Sequence, residues 1–436
     1  MTTTFRPFLC LVAVFVWFMP LAIQAQQQRT VTHTADVRDG AGSYYGMIAR
    51  VFKNAEVTLL ETLNGWARVN FKDKSGWIPQ RLLSGSGSGS DGNGAKARFN
   101  SIFQEMATEE PVEKEISKTA TPEQVAAAVK GFARKYKTRR GGKTIVDLTP
   151  KFERRINARE YRKFRKSRVS DREWRRLKRS FRLESDTLAP YNPAMDKIGW
   201  GIANMLGQDG LVDHYELQKY LNYVALVVVE SSHLPEIPVQ VHILDTDDIT
   251  GYAVPGGFIF ISKGALRLMQ NEAELAGFFA HELAHITLRH GETELRNRKP
   301  RLQSSSAFEE LENDLGYSDA TDDDDIRVSN ELSDWADDVY EYLVSGRLET
   351  YEFEADHWAT VYTYRAGYDP TALEEYLQRV KDYQGDFNRD MGTLEWQGTS
   401  IEQRQMRLRS SMGKLAFRPG GKRFTQEFAG HLRTLR

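Results

Sequence analysis

Residues Asn271 to Gly291 read NEAELAGFFAHELAHITLRHG, and their spacing predicts one capped helix. Asn271 can accept from the first free backbone N–H groups, Glu274 stands at the capping-box position, acidic residues fill the first turn, and Gly291 can end the segment. On such a helix His281 and His285 lie four residues apart on one face, within reach of a single ion. Glu282 sits beside them, able to polarise a bound water, and neutral imidazole nitrogens at tetrahedral geometry suit zinc. The same geometry directs His290 elsewhere, because five residues beyond His285 is about 140° around a continuing helix axis. Taken alone, two helical histidines also fit a structural role, so a third ligand carries weight.

A third ligand is available in LETYEFEADHWATVYTYRAGYDP, Leu348 to Pro370, a second helical stretch that stops near Gly367 and Pro370. Glu352 and Asp356 share a face at four-residue spacing, while Ala355 and Ala359 allow close approach of a neighbouring helix. Glu352 can complete the metal site, and Asp356 can hydrogen-bond a ligating histidine and fix its tautomer. Without HELAH, the same two acids would read as a solvated helix face.

HELAH followed by EFEAD resembles the HtpX/Ste24/BepA-like gluzincin zinc metallopeptidases. The likeness extends upstream through YLNYVALVVVESSHLPEIPVQVHILDTDDITGYAVPGGFIFISKGAL and spans about Tyr215 to Leu408. It implies one zinc ion per chain on His281, His285 and Glu352, with Glu282 as catalytic base. Pro255-Gly256-Gly257 turns the chain and Phe258 to Ser262 follows as a strand. In the family that strand borders the cleft, which makes Gly257, Phe258, Ile259 and Phe260 the expected pairing edge for an extended substrate. Many relatives carry a His-Pro step and then an arginine near the end of the domain. Here EWQGTSIEQRQMRL has no histidine, and Arg404 is the match for the arginine. Oxyanion stabilisation is then open to Arg404, to Tyr252, or to the metal alone.

The 436 residues leave room for more than this domain. Arg6, the apolar run Phe8 to Leu21 and a cleavage position after Ala25 read as a secretory signal, with an uncleaved anchor as the rival. The single cysteine, Cys10, falls inside it, so the processed chain contains no thiol and no cysteine-protease chemistry. Lysine plus arginine (59) nearly balances aspartate plus glutamate (60), which argues against nucleic acid as a partner. No later run reaches transmembrane length, so the mature protein is expected to be soluble, in the periplasm or secreted.

From Arg29 to Leu83, short runs rich in valine and tryptophan alternate with turns such as Asn64-Gly65. ADVRDGAGSYYGMIARVFKNAEVTLL and GWARVNFKDKSGWIPQRLL resemble a bacterial SH3-like domain. Relatives of that domain bind cell-wall peptides or protein segments, which makes Tyr44, Tyr45, Trp66 and Trp77 candidate contacts, although in so small a barrel the tryptophans are expected in the core. A Gly/Ser tether follows, SGSGSGSDGNG. The basic stretch Lys151 to Arg182 is read as the solvated face of an amphipathic helix pair, with Phe152, Ile156, Tyr161, Phe164, Trp174, Leu177 and Phe181 facing inward. Glu309 to Glu341 is acidic and is read as a loop.

The expected architecture is multidomain: a small all-β SH3-like barrel, then a mainly α (α+β) zincin-type metallopeptidase domain with a small sheet. The boundaries are 1–25 (signal peptide), 28–84 (SH3-like), 85–95 (linker), 96–190 (basic helical) and 191–436 (peptidase). The leading function is an endopeptidase acting on protein or peptide substrates. Its rivals are a peptidoglycan peptidase targeted by the SH3-like domain and a chaperone-like protein with a silent metal site.

Overall fold

The computed structural model describes most of residues 27–84, 156–183, 195–293, 349–387, 401–415 and 421–435, together with 148 and 152. The expected signal, the Gly/Ser tether after Ser84 and the acidic segment lie outside the described residues.

Strands β1 (Gln27–Thr30), β2 (Ala35–Arg38), β3 (Met47–Val51), β4 (Glu56–Leu63), β5 (Trp66–Phe71) and β6 (Lys74–Pro79) form one antiparallel sheet in the order β1-β4-β5-β6-β2-β3. Asn64 and Gly65 join β4 to β5 with φ of 52° and 86°, the positive values a two-residue hairpin requires. The interior is aliphatic, built from Val31, Val37, Val51, Val57, Val69, Ile78 and Leu82. Trp66 is buried, as expected from the sequence, though outside that cluster, and Trp77 is half-buried; valines at the strand period fill the cluster itself. Tyr44 turns outward from the sheet: its ring stands 4.7 Å from that of Tyr161 and packs on the core of the helical part.

The helical part begins with α1 (Ala158–Arg168) and α2 (Asp171–Ser180). Tyr161 and Leu177 are buried, as the apolar spacing predicts, but Arg165 and Arg168 are buried beside them. Basic character here is therefore partly internal. Arg168 donates to both carboxylate oxygens of Glu272 at 2.7 and 2.8 Å, and Glu272 also accepts from the hydroxyls of Tyr220 (2.8 Å) and Tyr368 (2.7 Å).

Two helices follow, α3 (Met195–Gly207) and α4 (Tyr215–Val229), the latter buried around nearly its whole circumference, consistent with its apolar run. Strands β7 (Gln240–Leu244), β8 (Gly251–Val254) and β9 (Phe258–Ser262) form a three-stranded sheet in the order β7-β9-β8, with β9 parallel to β7 and antiparallel to β8. The Pro-Gly-Gly turn leads into β9 with Gly256 and Gly257 at φ of 85° and 84°, where a side chain would be strained.

The position of β9 corrects the expected substrate strand. Gly257 leads into it, and Phe258, Ile259 and Phe260 lie on a central strand whose two edges are already hydrogen-bonded and whose residues are all buried. The edge strand that packs against the next long helix is β8. After the short α5 (Lys263–Leu268) come α6 (Glu272–Thr287), α7 (Glu349–Arg365), α8 (Ala372–Phe387), α9 (Ile401–Leu415) and α10 (Thr425–His431). Helices α6 and α7 pack side by side in a single core with α4, α8 and the sheet.

Candidate metal centre

Local signals set α6 as expected at its start. The side-chain oxygen of Asn271 accepts from the Glu274 N–H at 3.1 Å, and the Glu274 carboxylate accepts from the Gln270 N–H at 2.9 Å, a reciprocal cap. The other end differs from the expectation. The helix stops at Thr287, and Arg289 rather than Gly291 takes the left-handed conformation, with φ of 57°. Helix α7 ends in a Schellman arrangement at Gly367 (φ 89°): Tyr368 N–H donates to Thr363 O and Gly367 N–H to Tyr364 O. Ala280, Ala284, Ala355 and Ala359 are fully buried, and such small side chains let α6 and α7 approach closely.

This approach brings three donor groups together. His281 Nε2 lies 3.2 Å from one oxygen of Glu352, His285 Nε2 lies 3.3 Å from the other, and the two Nε2 atoms are 3.2 Å apart. Among the described residues, His281, His285 and Glu352 form the group whose ligand atoms converge in this way, and all three are buried. Ligands held about 2.0–2.1 Å from a tetrahedral zinc stand roughly 3.3 Å from one another, so the donor spacing fits such an ion. Glu282 follows His281 on the same helix and is 3% exposed.

Behind the ligands, Asp356 Oδ1 lies 2.9 Å from His281 Nδ1. An aspartate accepting at Nδ1 leaves a lone pair at Nε2 on the side of Glu352 and His285. Arg404 in turn clamps Asp356, with Nε 2.8 Å from Oδ2 and Nη2 2.5 Å from Oδ1. Burial raises the Asp356 pKa, but the Arg404 charge and hydrogen bonds outweigh it and hold the carboxyl below its usual range. Burial and the Arg404 charge push His281 down, yet its bonds to Asp356 and Glu352 leave its pKa raised.

The structure thus separates the residues considered for the oxyanion. Arg404 is 1% exposed and sits on the Nδ1 side of His281, turned onto Asp356. Tyr252 lies half-buried on the edge strand β8. His290 is not among the three converging ligands, as the helical angle predicts, yet it lies against His285 rather than pointing away, because the helix has already ended at Thr287. The left-handed residue that redirects it is an arginine, so no glycine signals the turn.

Residues 216–412 match the model of peptidase family M48, and residues 33–84 match that of the bacterial SH3 domain. Among curated proteins, the chain is 27% identical over 89 residues to the beta-barrel assembly-enhancing protease of Escherichia coli K12, which is 20% of this chain and 18% of that protein. The protein of the same name from Yersinia pestis is 25% identical over 166 residues, 38% of this chain and 33% of its own length. The mitochondrial metalloendopeptidase OMA1 of Schizosaccharomyces pombe is 26% identical over 84 residues, 19% of this chain and 25% of that protein. The match therefore spans only 18–33% of the length of these relatives. The chain joins a bacterial SH3 domain to a domain of peptidase family M48.

Proposed function

We propose that the protein is a zinc-dependent metalloendopeptidase that hydrolyses peptide bonds of envelope or secreted proteins after export. The observation that carries this reading is the convergence of His281, His285 and Glu352 within 4.8 Å on two packed helices, with Glu282 next in sequence to a ligand. The M48 match and the relatives' names support the reaction class. The export signal read in the first residues supports the location, and no helix among the described residues is long and apolar enough to cross a membrane.

A zinc ion held by those three residues would supply Lewis acidity and would make a water acidic near neutral pH. Glu282, next to His281, is the residue that would take a proton from water and return it to the departing amine. Asp356 and Arg404 hold His281 in the ligating tautomer. An extended substrate pairs with the edge of β8 rather than with β9, gaining backbone hydrogen bonds without a strong side-chain preference. Tyr252, on that edge, is the protein group left to steady the carbonyl oxygen.

Metal analysis and casein cleavage test the assignment. Glu282→Gln retains zinc and loses proteolysis, whereas His281→Ala loses both. An active Glu282→Gln protein would overturn it.

A further inference from the structure

His290 is 3% exposed, and both of its ring nitrogens face named partners. Nδ1 lies 2.8 Å from Nδ1 of His285, and Nε2 lies 3.2 Å from Oε2 of Glu354. The ring stacks on Tyr351 at 4.4 Å with an interplanar angle of 15°. The backbone that delivers it is costly: Arg289 occupies the left-handed region, which residues other than glycine adopt at an expense of roughly 1–2 kcal/mol.

Two facing Nδ1 atoms at hydrogen-bond distance share one proton, and the remaining contacts decide which ring carries it. If His290 Nδ1 donated, a neutral His290 would direct a bare Nε2 lone pair at the Glu354 carboxylate, two acceptors facing each other. If His285 Nδ1 donates, His290 accepts at Nδ1 and gives its Nε2 proton to Glu354. Every group then has a complementary partner. In that arrangement the Nε2 of His285 presents its lone pair on the side of Glu352 and His281. Asp356 imposes the same outcome on His281 from the other side of the site.

We propose that His290, held by Tyr351 and Glu354, is a positioning residue that fixes the orientation and tautomer of His285 and so sets the affinity of the site for its divalent metal. The inference rests on the metal-site reading above. It divides the support of the two histidines between two arms: a buried one, Arg404-Asp356-His281, and one that reaches solvent through Glu354, whose side chain is 60% exposed.

The test uses the full mature protein, stripped of metal, with zinc affinity measured by competition against a chromophoric chelator. The d–d absorption of the cobalt-loaded protein provides a spectroscopic signature. His290→Phe keeps a ring to stack on Tyr351 and removes the acceptor. His290→Asn restores an acceptor close to the position of Nδ1. Loss of a partner behind a ligating histidine typically costs 10–100-fold in metal affinity, so His290→Phe should weaken zinc binding by about that factor and alter the cobalt spectrum. His290→Asn should recover most of both. Glu354→Leu, at the solvent end, should lose a few-fold and is expected to fold normally, which keeps the test open if the Phe variant does not.

Equal weakening by Phe and Asn would mean that packing alone matters and would overturn the proposal. So would affinities within twofold of wild type for both His290→Phe and Glu354→Leu. Wild-type protein that binds no zinc, or His281→Ala binding as well as wild type, would instead sink the metal-site reading itself.

Discussion

Replacing Arg404 by methionine removes a buried cation while keeping much of its volume. The guanidinium is 1% exposed and bidentate on Asp356, at 2.8 and 2.5 Å, with Nη2 also 4.0 Å from Glu352. Without it, Asp356 keeps its bond to His281 Nδ1 but loses its neutralising charge. Severing one side of a buried ion pair costs about 3–5 kcal/mol. For a domain of this size that is a drop of roughly 6–20 °C in the melting temperature of the metal-free protein. Zinc should return part of the loss, since it binds the folded state and brings positive charge beside Glu352. Arg404→Lys should not rescue, because an ammonium does not span both carboxylate oxygens. Thermal unfolding in chelator and in zinc, with a zinc titration alongside, reads these effects. If Arg404 instead stabilised the oxyanion, its removal would lower kcat by about 10²–10³-fold at saturating zinc and leave metal affinity and melting unchanged. That pattern, or a metal-free loss under about 1 kcal/mol, would refute the positioning role.

The Arg168 and Glu272 pair ties the basic segment to the first residue of the site helix, and Arg168→Met leaves a fully buried carboxylate with two tyrosine donors. A loss of about 3 kcal/mol by urea unfolding is expected, and a loss under about 1 kcal/mol would show that the pair is solvent-screened. His233 is buried against Tyr362 and Trp358, and burial, with the charges of Arg365 and Arg81, lowers its pKa to about 3. Below about pH 6.5 the unfolded chain takes up a proton that the folded chain refuses, so stability falls as pH falls, by about 1.4 kcal/mol per unit. Urea unfolding of the metal-free protein between pH 7 and 4 should show a steeper acid loss for wild type than for His233→Asn, and equal slopes would remove His233 as the cause.

The parts legible in the sequence are those written in local spacing. Asn271 and Glu274 cap α6 as their positions dictate, and Asn64-Gly65 turns the hairpin its dihedral freedom favours. Four-residue spacing puts His281 with His285, and Glu352 with Asp356, on shared helix faces whatever the rest of the chain does. The valine-rich interior of the β domain and the buried arginines of α1 were less accessible, because which side of a short element faces a core depends on its neighbours.

What the sequence by itself determined is the pair of helices, the N-terminal cap of α6, the stop of α7 at Gly367 and the residue types offered to a metal, all consequences of chain-local hydrogen bonding and helical periodicity. What only the tertiary structure decided is who faces whom. Strand order places β8 rather than β9 at the sheet edge, since pairing partners come from distant segments. Packing of α9 turns Arg404 onto Asp356, and a left-handed arginine swings His290 back to His285. Each of these depends on backbone direction set by contacts far apart in the chain, and side-chain identity alone does not encode direction.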